Sequence, residues 1–123
     1  MYREKIKVLD CTIRDGGLIN NYHFTTDLVK AVYGAACDSG IDIIEIGKKL
    51  CESDEYTREK YGKWNFCDED DIKQVVESHE CENPPTLAVM YDVDRVDISS
   101  LLPSDQSVIG MVRTACYVPD IDK

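Results

Sequence analysis

The sequence predicts an α/β fold of about four parallel strands with intervening helices, and three observations carry that expectation. Strand-like and helix-like stretches alternate along the 123 residues without repeats or low-complexity segments. Such alternation gives parallel pairing through right-handed crossovers. Residues 41–46 form a short, almost wholly apolar run, the pattern of a strand covered on both faces of a parallel sheet. Residues 28–36 place Leu28, Val29, Val32, Ala35 and Ala36 at helical spacing. A flavodoxin-like doubly wound sheet meets the same pattern, so alternation alone does not select a barrel.

Taken in order, residues 5–12 read as the first strand, running into Arg14-Asp15 and a turn at Gly16-Gly17. Thr25 or Thr26 caps the next helix, Asp27 sits at its positive end, and Gly40 suits its stop. The strand at 41–46 follows. Residues 48–67 lose regularity but hold Tyr56, Tyr61, Trp64 and Phe66, which predicts an ordered loop that packs over something. Asp68 opens an acidic first turn of a helix ending near Glu80, before Asn83-Pro84-Pro85 forces extended chain. Residues 86–93 are the third strand, 96–102 a short helical turn stopped by Pro103, and 107–118 the fourth strand.

The formal charge of −10, from 24 acidic against 14 basic residues, argues against nucleic acid as a partner. A phosphate-binding surface needs clustered Lys and Arg, and Lys48-Lys49 is the one adjacent basic pair. No apolar run approaches the roughly 20 residues needed to cross a bilayer. The first residues lack the apolar core of a signal peptide, so the expectation is no membrane and a cytoplasmic protein. Cys11, Cys37, Cys51, Cys67, Cys81 and Cys116 are far apart, without a Cys-x-x-Cys pair or zinc-like spacing. They read as reduced thiols, with Cys37 and Cys116 as small buried hydrophobes.

The string Asp10-Cys11-Thr12-Ile13-Arg14-Asp15-Gly16 resembles the opening of the first strand in the metal-dependent aldolase and lyase barrels called DRE-TIM metallolyases, among them HMG-CoA lyase and 4-hydroxy-2-oxovalerate aldolase. Three segments in order resemble an aldolase-like, HMGL-like branch of that group. They are Arg14-Asp15-Gly16-Gly17 followed by Asn20-Asn21-Tyr22, then Ile44-Glu45-Ile46-Gly47, then Tyr61-Gly62-Lys63-Trp64 ending at Phe66-Cys67. The resemblance implies a (β/α)₈ TIM barrel. A complete barrel takes roughly 250 residues, so residues 1–123 are expected to be its N-terminal half, an incomplete domain. Sequential units wound one way predict the strand order 1-2-3-4, whereas a flavodoxin-like sheet predicts 2-1-3-4.

The resemblance also implies roles. Asp15 would be a ligand of a divalent cation, Mg²⁺ or Mn²⁺, and Arg14 would stabilise the enolate of a 2-oxo acid substrate during carbon–carbon bond cleavage or formation. Glu45 would position Arg14 and the metal-site waters, and Arg113 would point into the barrel mouth. The residues alone leave an alternative for both. A carboxylate in an apolar strand must be paired, so Glu45 and Arg113 are also expected as salt-bridge partners. Two departures stand out. The aldolases carry a His three residues after the metal-binding Asp, where this chain has Leu18. Their His-x-His metal ligands on a late strand cannot come from His23 or His79, the only histidines here. The chain alone is therefore expected to bind metal weakly or not at all. It would function as a homo-oligomer or with a missing C-terminal half, or else serve as a non-catalytic oligomerisation or binding module.

Overall fold

The computed structural model of the chain describes residues 6–122. Its sheet holds four parallel strands, β1 (Leu9–Asp10), β2 (Ile43–Lys48), β3 (Thr86–Asp92) and β4 (Met111–Ala115), in the order β1-β2-β3-β4. That is the order of successive βα units wound in one direction, and it excludes the flavodoxin-like alternative.

The helices are α1 (Thr12–Asn20), α2 (Thr26–Asp38), α3 (Arg58–Tyr61) and α4 (Glu69–Val76). Thr25 caps α2 by accepting from the Leu28 amide, and Asp68 caps α4 by accepting from the Asp71 amide. Both caps satisfy amides that the first turn leaves open. Val29, Tyr33 and Ala36 of α2 meet Ile72 and Val75 of α4 over Ile44, Ile46, Leu87, Val89 and Tyr91, so one sheet face is covered by helices. Ile43, Glu45, Ala88 and Met90 are buried on the opposite face.

Several expectations need correction. The first strand is two residues long, and the expected start at Lys5 lies outside the described residues. The Arg14-Asp15-Gly16-Gly17 segment is helix, where a glycine turn was expected. Ile13 is buried in the core and Gly17 lets Tyr22 close over the helix, since a Cβ at 17 would stand 2.2 Å from the Tyr22 ring. That packing outweighs the low helix propensity of two glycines. The helix at 68–80 stops at Val76, and β4 is five residues against the twelve expected. Residues 96–102 contribute one 3₁₀ turn, Ile98–Ser100. Cys116 is exposed and Cys37 half-buried, against their reading as buried hydrophobes; all six cysteines are free.

The segment at 48–67 is ordered, as its aromatics predict. Trp64 is fully buried and its Nε1 donates to the Phe24 carbonyl at 3.1 Å. Arg58 ties the segment down, donating to the Phe66 carbonyl at 2.6 Å and to Asp68 at 2.7 Å. No helix among the described residues is long and apolar enough to cross a membrane.

Candidate functional site

The parallel register decides which side chains meet. Glu45 lies level with Ala88 and Met111, while Lys48, Met90 and Arg113 share the next row on the same face. Arg14 rises from the first turn of α1, just past the end of β1. The three therefore converge on the face opposite α2 and α4, toward the C-terminal ends of the strands, where parallel α/β folds build their sites.

Glu45 is the centre, with no exposed surface. Arg113 Nε donates to its Oε1 at 2.6 Å and Arg113 Nη2 to its Oε2 at 2.7 Å, a two-pronged pair. Arg14 Nε donates to the same Oε2 at 2.9 Å, and the Cys11 thiol lies 3.6 Å from it. Burial pushes the Glu45 carboxyl up, but hydrogen bonds and charge from Arg113 and Arg14 outweigh it, and the net direction is down. Glu45 is therefore an anion holding two cations. Each guanidinium carries five N–H donors in a planar fork. Arg113 gives two bonds to Glu45, and Arg14 gives one to Glu45 and one to Asp15, so both keep donors for a ligand. The Arg113 side chain is 40% exposed and that of Arg14 19%.

The residues expected from sequence, Arg14, Asp15, Glu45 and Arg113, thus form one connected cluster, and the expected Glu45–Arg113 salt bridge is present. Asp15 is 58% exposed and joined to it through Arg14. Its fit to a divalent ion is incomplete. Both Glu45 oxygens are taken by guanidiniums, and no group of three or more His, Cys, Asp or Glu among the described residues is placed to hold a metal. One carboxylate falls short of the ligand set that a hard cation requires. His23 lies elsewhere, with its ring 3.2 Å from the Lys60 carbonyl, and the exposed Leu18 holds the position three residues after Asp15.

Sequence reading missed Lys48. It lies three positions after Glu45, which in a regular strand would put the two on opposite faces. A bulge between Glu45 and Gly47 adds a residue and brings Lys48 round to the Glu45 face. Lys48 lines a cleft of about 610 Å³ with Asp92, Arg95 and Tyr117 at the ends of β3 and β4. No alternation pattern reveals a bulge; the glycine at 47 was the one available signal.

No family model matches the chain, and no curated protein matches it. A solved structure does: the N-terminal domain of a putative aldolase from Bacteroides vulgatus is 27% identical, with a TM-score of 0.71. The match covers 89% of this chain and 35% of that one, so this chain spans about a third of that protein's length. The four-stranded parallel sheet with its helices is the half-barrel fold of an aldolase N-terminal domain.

Proposed function

We propose that this chain is the N-terminal half of a DRE-TIM-type aldolase or lyase barrel, in which Arg14 and Arg113, held by Glu45, bind a 2-oxo acid and stabilise its enolate. The observation that carries the reading is the pair of guanidiniums fixed on one buried carboxylate with donors to spare. Such forks match a carboxylate or an enolate oxygen in shape and charge. Because Glu45 pre-sets their positions, little reorganisation is needed as negative charge develops. The aldolase-like fold supports the same reading. Asp15 would offer one ligand to a divalent cation, with water, a second copy or residues of the rest of a barrel filling the other positions.

A nuclear magnetic resonance titration of the 123-residue chain with pyruvate tests the proposal. The Arg14 and Arg113 Nε–H signals should shift and saturate, and Arg113→Lys should weaken binding at least about tenfold, because an ammonium cannot copy the fork. Unmoved arginine signals would overturn it. The chain alone should show negligible aldol cleavage.

A second reading rests on the β4 side of the sheet. Val112 is exposed there, and Tyr117, Val118 and Ile121 follow as further exposed apolar side chains. Exposed apolar side chains on and after an edge strand favour association. On this reading the half-barrel is a non-catalytic module that pairs with a second copy, and sedimentation showing a monomer at high concentration would count against it.

A further inference from the structure

Beside the arginine cluster stands a second set of polar groups that the proposed reaction does not use. Tyr22 is 5% exposed, and its hydroxyl has no hydrogen-bond partner among the described residues. Seating this tyrosine constrains its surroundings. Its backbone has φ 61°, which non-glycine residues seldom adopt. Its ring lies where a Cβ on Gly17 would be, and its carbonyl lies 2.2 Å from where a Cβ on Gly62 would be. Gly62 itself has φ 68°. A hydroxyl held this firmly and left unbonded is a donor awaiting an acceptor. The Tyr22 ring packs against Gly17 of α1, the helix that carries Arg14. Burial keeps the hydroxyl protonated, pushing it up to about 12.

The bulged Lys48 stands over the same ring, with its Nζ 5.8 Å from the centroid. Its Nζ is 3.6 Å from Asp92 Oδ2, past ordinary hydrogen-bonding distance. Tyr22 and Lys48 line a small cleft of about 180 Å³ together with Arg95 and the stacked Tyr56 and Tyr61 rings. Lys48 shares its row with Arg113 across β3. Two strand spacings, about 10 Å, separate their backbones.

We propose that Lys48 and the Tyr22 hydroxyl form a second subsite, which holds the distal carboxylate of a dicarboxylic 2-oxo acid whose reacting end lies on Arg14 and Arg113. The inference rests on the proposed 2-oxo acid reading and adds the substrate class. The span between Lys48 on β2 and Arg113 on β4 suits a short diacid. Asp92 offsets part of the lysine charge, which favours a single carboxylate over a phosphate dianion.

Two five-carbon probes differ in this one group: 2-oxoglutarate carries the distal carboxylate and 2-oxovalerate a methyl. Titrated into the 123-residue chain by nuclear magnetic resonance, 2-oxoglutarate should bind about tenfold more tightly, the scale of a charged hydrogen bond gained. Tyr22→Phe, which keeps the ring and therefore the packing, and Lys48→Met should each bring the ratio toward one. Equal wild-type affinities for the two probes would overturn the subsite and leave the 2-oxo acid reading standing. A preference that survives in both variants would also overturn it. Binding of neither probe would remove the 2-oxo acid reading and the subsite together.

Discussion

At Glu45 a fully buried acid holds two arginines toward solvent, whereas at Arg58 a partly exposed cation gathers two acids and a carbonyl. The first cluster joins α1, β2 and β4; the second joins α3, the turn after it and α4. Lys63 completes the second by donating to Asp71 at 2.7 Å. Both mix two cations with two acids, yet they serve different ends. Around Arg58 the guanidinium is occupied by Phe66, Asp68 and Asp71, so the cluster fastens the loop at 48–67 to its helix. Around Glu45 the shared partner is the anion, and the cations keep donors facing outward. A cation at the hub makes a clamp; an anion at the hub presents a binding surface.

Removing the hubs tests this contrast, and Glu45 should give the largest effect. Glu45→Gln leaves two guanidiniums facing a neutral amide in a buried position, and breaking such a pair costs about 3–5 kcal/mol. The loss should appear as a lower urea midpoint, accompanied by loss of pyruvate binding. The acid dependence has a definite sign. The folded carboxyl titrates below its ordinary value of 4.5, so its contribution is complete above that pH and is lost as pH falls through the folded value. The wild-type midpoint should therefore fall more steeply below pH 4.5 than that of Glu45→Gln. Parallel slopes would show that Glu45 is not the anion at the hub.

Arg58→Ala should cost less, about 1–2 kcal/mol, because its partners regain water when it goes. Affinity for pyruvate should remain within about twofold, since no Arg58 partner reaches the Glu45 cluster. A loss of binding matching that of Arg113→Lys would break the distinction between clamp and binding surface.

The difference between the clusters also explains what could be read in the sequence. The alternation of strands and helices and the cap at Thr25 follow from local patterns, apolar runs and a hydroxyl before an apolar stripe. The strand order followed only from the resemblance to a barrel, since alternation fits a flavodoxin-like sheet equally. Glu45 declared itself as a charge inside an apolar strand, which demands a partner, and Arg113 was the cation on β4, reaching it across β3. Helix α1 escaped because Gly16 and Gly17 favour a turn locally, while the Tyr22 ring that makes Gly17 useful is set by tertiary packing. Lys48 escaped for a related reason. Its face depends on one residue added to β2, and a one-residue change of register reverses inward and outward without altering composition.

Asp15 supplies the smallest expected effect on stability and separates the two remaining views of it. It is 58% exposed and its partner is its own neighbour, Arg14, which Glu45 already holds. Exposed pairs of this kind contribute about 0–1 kcal/mol, so Asp15→Ala should leave the urea midpoint nearly unchanged. Metal binding should respond quite differently. With one carboxylate available and water filling the other positions, Mn²⁺ should bind weakly, with a dissociation constant of about a millimolar or more. Electron paramagnetic resonance of free Mn²⁺ should record that weak binding in the wild type and its loss in Asp15→Ala. Micromolar binding that survives the substitution would place the ion elsewhere and free Asp15 from the role of ligand. Micromolar binding lost with Asp15 would mean that ligands outside residues 6–122, or a second copy of the chain, complete the site.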